Sequence, residues 1–251
     1  MTSLLVAIAL YVAWTGVTYL MEGRIRTLLR PEAKRARLAY AVVANILIGT
    51  AGALAAVSLI LGNGAGESMA GHGFAPLTRT LISIIAGLVL GGLLFAVQRP
   101  PNRNMTVLVN GYAQTLVVSV AEVLVCWSVL GATLTTTISE AGQAPSIAAG
   151  LLVAAAAFGL YHIAHSPPFN TTRLVLMLSG VGLISGAFFY LSRDVYGTIL
   201  FHNFLALKGV TQALADSGRL RSYEKVQGQL IAMAVLAVLL LVILDVVLLR
   251  I

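Results

Sequence analysis

One apolar stretch decides the fold class of this chain: residues 105–133 read MTVLVNGYAQTLVVSVAEVLVCWSVLGAT. It is longer than the roughly 20 mostly apolar residues that a helix needs to cross a bilayer. Glu122 lies near its middle, where a carboxylate costs about 2.5–3.5 kcal/mol on insertion scales. The stretch therefore predicts a transmembrane helix and makes Glu122 a candidate functional residue.

The composition of the whole chain extends this prediction. The chain is 59% hydrophobic and 10% charged, with a mean hydropathy of +0.93, whereas soluble domains carry roughly 25% charged residues. The apolar runs are continuous and lack the alternation of a membrane β-barrel. We therefore expect an all-α polytopic membrane helical bundle that forms one domain over residues 1–251. Its predicted transmembrane helices are Ser3–Met21, Ala39–Leu61, Thr80–Val97, Met105–Thr133, Ile147–His165, Leu174–Leu191, Val195–Ala215 and Leu230–Leu249.

The basic residues are distributed unevenly between the two sides of this bundle. One side has only three of them, Arg79, Arg193 and Arg250, and the loops of the other side hold most of the rest. By the positive-inside rule the more basic loops are cytoplasmic, so both termini face outward across the inner (plasma) membrane. Anionic lipid head groups explain the net charge of +7 better than a nucleic-acid partner does. The cytoplasmic set comprises Arg24, Arg26, Arg30, Lys34, Arg35, Arg37, Arg99, Arg103, Arg173, Lys208, Arg219, Arg221 and Lys225.

Polar residues form one face of the helix that carries Glu122. They recur at steps of three and four residues, at Tyr112, Thr115, Ser119, Glu122 and Cys126, so they share a helical face. Such a face must look toward other helices or a water-filled cavity. Two interpretations follow: an interhelical hydrogen-bond ladder with a protonated Glu122, or a functional carboxylate.

Two histidines lie within other apolar runs. His162 follows Phe158 by four residues, and His202 follows Thr198 by four residues with Asn203 beside it, about 100° around the helix. A carboxylate with two imidazoles can activate water for attack on an amide. The same set can also bind zinc with an open fourth position, but no HExxH motif is present, so we assign no metal ligands.

The order of these residues resembles the CAAX protease and bacteriocin-processing (CPBP) family of intramembrane proteases. That family has a Glu-Glu-x-x-x-Arg motif, a Phe-x-x-x-His motif and a His-x-x-x-Asn/Asp motif on separate helices of an eight-helix bundle. The resemblance covers residues 105–215 and matches Glu122, Phe158 with His162, and His202. It implies that Glu122 activates water with help from His162, while His202 holds the oxyanion.

The chain departs from the family pattern at three positions. Val123 replaces the second glutamate, Trp127 the arginine and Ala206 the final Asn/Asp. Asn203 comes three residues before Ala206, on another helical face, and can substitute for the missing residue only if the helix is distorted. We expect Phe158, Asn203 and Ser119 to support the site. The substrate of a protease would be a membrane-associated peptide or protein.

Two other functions compete with the protease. A catalytically silent scaffold or accessory subunit would instead bind partner membrane subunits. A third possibility, a small transporter with Glu122 as proton carrier, is disfavoured because the chain has no internal repeat.

The predicted topology also places the three candidate residues at different depths. Glu122 and His202 are expected in the outer half of the membrane and His162 nearer the cytoplasm. They can converge only if a helix boundary is shifted by about one turn or the helices are tilted.

Overall fold

The computed structural model describes residues 2–24, 33–62 and 68–251. The structure is 84% helical and its described residues contain no strand, which confirms the all-α prediction. Short 3₁₀ turns lie at Ser139–Ala141 and Leu220–Tyr223. The long helices are α1 Thr2–Gly23, α2 Lys34–Gly62, α3 Leu77–Val97, α4 Met105–Thr137, α5 Gln143–Ala164, α6 Thr172–Ser192, α7 Val195–Asp216 and α8 Gly228–Arg250.

Seven of the described helices are long and apolar enough to cross a membrane, so the chain is a multi-pass membrane protein. The remaining long helix, α7, has 22 residues and is more polar than the others. The membrane type and the orientation stay predictions, and residues 25–32 of the basic loop lie outside the described residues. We use "basic end" below for the end of the bundle where α1 ends and α2 begins, and "opposite end" for the other.

Helix α4 forms the centre of the bundle. It is buried along nearly its whole length, whereas a third or less of the apolar window of α1, α3, α6 and α8 is buried, and these helices turn leucine and isoleucine side chains outward. Large aromatic side chains fill the space around α4. The indole of Trp14 stacks on Tyr161 with ring centroids 3.8 Å apart, and Trp127 of α4 is fully buried. Glu122 therefore lies on the most enclosed helix of the protein.

Helices α3 and α7 cross in close contact because glycines meet at the crossing. A Cβ atom at Gly197 would collide with Ser83, and one at Gly87 would collide with the backbone carbonyl of Gly197. Small residues of this kind let transmembrane helices approach closely. The contact fixes the position of α7, which carries His202, relative to α3.

The opposite end of the bundle is closed by a segment that folds back into it. His72, in the connection between α2 and α3, donates from Nδ1 to the carbonyl of Ser128 at 2.7 Å, and the Ser128 hydroxyl donates to the His72 carbonyl at 2.6 Å. Asp194 caps α7 by accepting from the Gly197 amide at 2.8 Å and from Thr80 Oγ1 at 2.7 Å. These bonds tie the connecting segments of that end to the helices.

Side-chain hydrogen bonds also join distant parts of the chain at the basic end. Ser166 Oγ donates to Glu22 Oε1 at 2.7 Å. Arg37 Nη2 donates to Gln114 Oε1 at 2.6 Å and to the Tyr223 hydroxyl at 3.0 Å. Burial raises the pKa of Tyr223, so its hydroxyl stays protonated and donates to Gln114. The loop before α8 is thereby held against α2 and α4.

Candidate active site

The structure brings Glu122, His162 and His202 together in the middle of the bundle. Glu122 Oε2 lies 3.0 Å from His202 Nε2, and Glu122 Oε1 lies 3.8 Å from His162 Nε2. All three side chains are buried, and they come from α4, α5 and α7. An ionised carboxylate in this position has polar partners within the protein, which a lipid-facing carboxylate would lack.

Convergence of these residues depends on where the helices end. Helix α4 continues to Thr137, about one turn beyond the predicted end at Thr133, so Glu122 lies one residue from the midpoint of the helix. His162 begins a final 3₁₀ turn that completes α5. The boundary shift that convergence required is therefore present in α4.

Partners on both ring nitrogens define the protonation of His202. The Ser185 hydroxyl lies 2.8 Å from Nδ1, and the Glu122 carboxylate lies 3.0 Å from Nε2. An ionised carboxylate only accepts hydrogen bonds, so with Glu122 ionised Nε2 carries the proton and, in the neutral ring, Nδ1 accepts from Ser185. We assign this tautomer from the hydrogen-bond pattern. Ser185, on α6, therefore orients His202 toward Glu122.

His162 has the opposite arrangement of its ring nitrogens. Its Nδ1 lies 2.8 Å from the carbonyl of Phe158, and a carbonyl only accepts, so Nδ1 carries the proton in the neutral ring. The unprotonated Nε2 faces Glu122 Oε1 at 3.8 Å, which is too long for a direct hydrogen bond. At this separation, one water molecule beside the two acceptors can donate a hydrogen bond to each of them.

Aromatic rings enclose both histidines. Phe158 presents its ring at 76° to His162 and at 84° to His202, with centroids 4.8 and 5.1 Å away. Trp127 lies 5.4 Å from the ring of His202. The Phe158 of the second motif therefore packs between the two imidazoles, and Trp127 fills space where the family motif has a charged residue.

The predicted supporting residues Ser119 and Asn203 pair with each other. Ser119 Oγ donates to Asn203 Oδ1 at 3.1 Å, and Asn203 Nδ2 donates to the carbonyl of Tyr112 at 3.2 Å. This pair joins α4 to α7 beside the site. Asn203 points away from the cavity described next, as its position on another helical face predicted, so it does not replace the amide missing at Ala206.

A cavity of about 280 Å³ extends from the three residues toward the basic end. One wall belongs to α6 and carries Met177, Leu178, Val181 and Ile184; the α7 wall carries Leu205, Ala206 and Gly209 after His202. Helices α6 and α7 meet nearer the opposite end, where the rings of Phe188 and Phe201 stack 4.7 Å apart. Glu122, His162 and His202 thus line the deep part of a mostly apolar cavity.

His165 lies next to the site, where α5 has ended. Its ring stacks on His162 at 5.0 Å, and its Nε2 lies 3.3 Å from the Tyr40 hydroxyl. Burial, together with His162 beside it, lowers the pKa of His165 well below its ordinary value. The ring is therefore neutral and acts as a packing partner of His162.

We find no zinc ligand set in the part of the chain that the structure describes. Among residues 2–24, 33–62 and 68–251, no group of three or more His, Cys, Asp or Glu side chains is arranged to hold a metal ion. In the tautomer assigned above, His202 Nε2 donates to Glu122.

Comparison of the chain with protein-family models, curated proteins and solved structures found no match. The interpretation of the site therefore depends on its own geometry and on the motif resemblance.

Ser185 is the main site residue that sequence reasoning missed. A single serine in an apolar helix commonly bonds to the carbonyl one turn earlier, as Ser179 does with Val175. Nothing in the spacing along α6 distinguishes the two serines. Only the packing of α6 against α7 reveals that Ser185 reaches a histidine.

Proposed function

We propose that this protein is an intramembrane endopeptidase that uses Glu122 to hydrolyse membrane-associated peptides or proteins, in the manner of the CPBP family that its motifs resemble. The observation that carries the proposal is the convergence of three buried side chains, Glu122, His162 and His202, at the wall of a cavity. A purely structural carboxylate has no need of two imidazoles and an adjacent cavity.

In this proposal a water molecule lies between Glu122 Oε1 and His162 Nε2. Both atoms accept hydrogen bonds, so they leave the water oxygen free to face the carbonyl carbon of a peptide bond in the cavity. As the oxygen bonds to that carbon, Glu122 takes one proton. When the tetrahedral intermediate collapses, the C–N bond breaks and the nitrogen receives that proton from Glu122, which restores the carboxylate.

His202 serves two purposes in this sequence. Before attack, its Nε2–H donates to Glu122 and holds the carboxylate in position. Once Glu122 has gained a proton, that bond weakens, and the same N–H can turn to the developing oxyanion. Ser185 keeps the proton on Nε2 throughout by donating to Nδ1.

The cavity wall suits an apolar segment of substrate. Met177, Val181, Ile184 and Leu205 are among the apolar residues that line it, so a peptide in an extended conformation can place apolar side chains there. Because the opposite end is closed by the segment that holds His72, the substrate reaches Glu122 from the basic end or between α6 and α7.

One observation favours a second function, that of a catalytically silent scaffold subunit. Ala206 lines the cavity at the position where the family motif has an Asn or Asp, so no second oxyanion donor is present there. Val123 and Trp127 are fully buried in packing contacts. A scaffold would use this packing to bind partner membrane subunits and would not need Glu122 as a base.

Cleavage of a peptide library by purified protein in detergent tests the proposal. Glu122→Gln should reduce turnover by about 10²–10⁴-fold, because an amide cannot act as a base. Ala206→Asn should leave the rate unchanged or raise it. The matched control is Glu140→Gln, which changes an exposed carboxylate near the opposite end and should not affect turnover.

The same variants identify the alternative. If wild-type protein cleaves no peptide, and a partner complex survives Glu122→Gln but not Trp127→Ala, the protein is a scaffold and the peptidase proposal is wrong. Thermal unfolding of each variant confirms that loss of turnover is not loss of folding.

A further inference from the structure

One lysine lies among the described residues that line the cavity. Of the described residues that line it, only Lys208 is a lysine or arginine, and it lies on α7 toward the basic end. Its Nζ donates to Gln212 Oε1 at 3.0 Å, and Gln212 donates in turn to Asp216 Oδ1 at 2.9 Å. Among the described residues Lys208 forms no ion pair. Its charge is thus paired with an exposed neutral amide and with no carboxylate of the described residues.

The distance from Lys208 to the reacting centre follows from helix geometry. Six residues separate it from His202, which is about 9 Å along the axis of α7 at 1.5 Å per residue. An extended peptide covers about 3.3–3.6 Å per residue. A substrate group beside Lys208 therefore lies about two to four residues from the peptide bond that faces Glu122.

We propose that Lys208 determines substrate specificity by binding a carboxylate on the substrate, two to four residues from the cleaved bond. This inference rests on the proposed function. Outside the site formed by Glu122 and the three histidines, the cavity wall supports it, because its side chains, such as Leu205 and Met177, carry no other charge to compete for that carboxylate. Close to low-dielectric walls, an ion pair is stronger than in bulk water.

The alternative role for Lys208 is contact with lipid. Lysines near helix ends commonly extend toward anionic head groups. In that role Lys208 stabilises the protein in the membrane and does not distinguish one peptide from another. A charge-dependent change in peptide preference separates the two roles.

Peptide binding to the Glu122→Gln variant provides a test that does not require cleavage. The probes are fluorescent apolar peptides, blocked at both ends, with Asp, Asn or Lys at one position two to four residues from the expected bond. A fourth probe has an unblocked C-terminal carboxylate at that position. Comparing it with the Asp probe tells whether a side chain or a chain end supplies the carboxylate.

We expect the Asp or chain-end probe to bind about tenfold more tightly than the Asn probe, a size typical of a partly buried ion pair. Lys208→Gln should abolish this difference, and Lys208→Glu should reverse it in favour of the Lys probe. Lys225→Gln, which removes an exposed lysine at the same end, should change nothing.

Each other outcome has a defined meaning. The inference is overturned if no probe binds, if the probes bind equally, or if their difference survives Lys208→Gln. If the wild type cleaves no probe but the charge preference follows Lys208, the peptidase proposal fails while the carboxylate site stands. If the wild type cleaves all probes equally, the peptidase proposal stands while the carboxylate site fails.

Discussion

Removal of the Ser185 hydroxyl should disable His202 without disturbing the fold. Ser185 Oγ is 2.8 Å from His202 Nδ1, and both side chains are buried. In Ser185→Ala the Nδ1 acceptor loses its partner in a site without bulk water, which costs about 1–3 kcal/mol. If this loss falls entirely on the transition state, turnover drops by about 5- to 150-fold, since 1.36 kcal/mol is tenfold.

Two measurements check this prediction. Peptide cleavage gives the loss of turnover, and nitrogen NMR of ¹⁵N-histidine-labelled protein gives the tautomer of His202 even if no substrate is known. The proton should be on Nε2 in the wild type, and Ser185→Ala should contain a mixture of tautomers. Ser179→Ala is the matched control, because Ser179 on the same helix donates only to the Val175 carbonyl. An unchanged tautomer together with turnover within about twofold of wild type would refute the role assigned to Ser185.

Two further predictions concern the fold. Gly197→Ala forces α3 and α7 apart and should lower the melting temperature in detergent by about 2–12 °C, from 1–3 kcal/mol of overpacking. Gly209→Ala on the same helix, where a Cβ meets nothing within 4 Å, should cause no such drop. A cysteine at Arg30 should resist an impermeant thiol reagent in intact cells, whereas one at Glu140 should react; the opposite pattern would reverse the orientation.

The helices could be predicted from the sequence because each is encoded locally. The run from residue 105 to 133 is apolar enough to require a membrane helix, and the structure extends it only to Thr137. The polar face of that helix also predicted that Glu122 points inward. The depth of Glu122 in the bundle was harder to predict. The predicted end of α4 was one turn short, and this error placed Glu122 too far from His162.

The pairings between helices could not be predicted in the same way. Ser185 with His202, and Glu22 with Ser166, join residues whose neighbours in sequence are ordinary for their helices. Arg37 was interpreted as one member of a basic loop, yet it is buried and bonds to Gln114. Such contacts depend on how helices rotate against each other, which hydropathy does not encode.

The polarity of α7 is connected to its place in the bundle. This helix is long enough to cross the membrane and its residues 195–215 were predicted as a transmembrane helix, but it is less apolar than the other seven and is not among the helices that qualify as membrane spans. Most of its side chains are buried against α3, α4 and α6, so it does not need a lipid-compatible surface. It can therefore carry His202, Asn203 and Lys208, whose polar atoms bond to protein. The helices with the most exposed surface, α1 and α8, contribute no residue to the lining of the cavity beside Glu122. Hydropathy predicts α7 least well because most of the surface of this helix packs against other helices, and those contacts build the site.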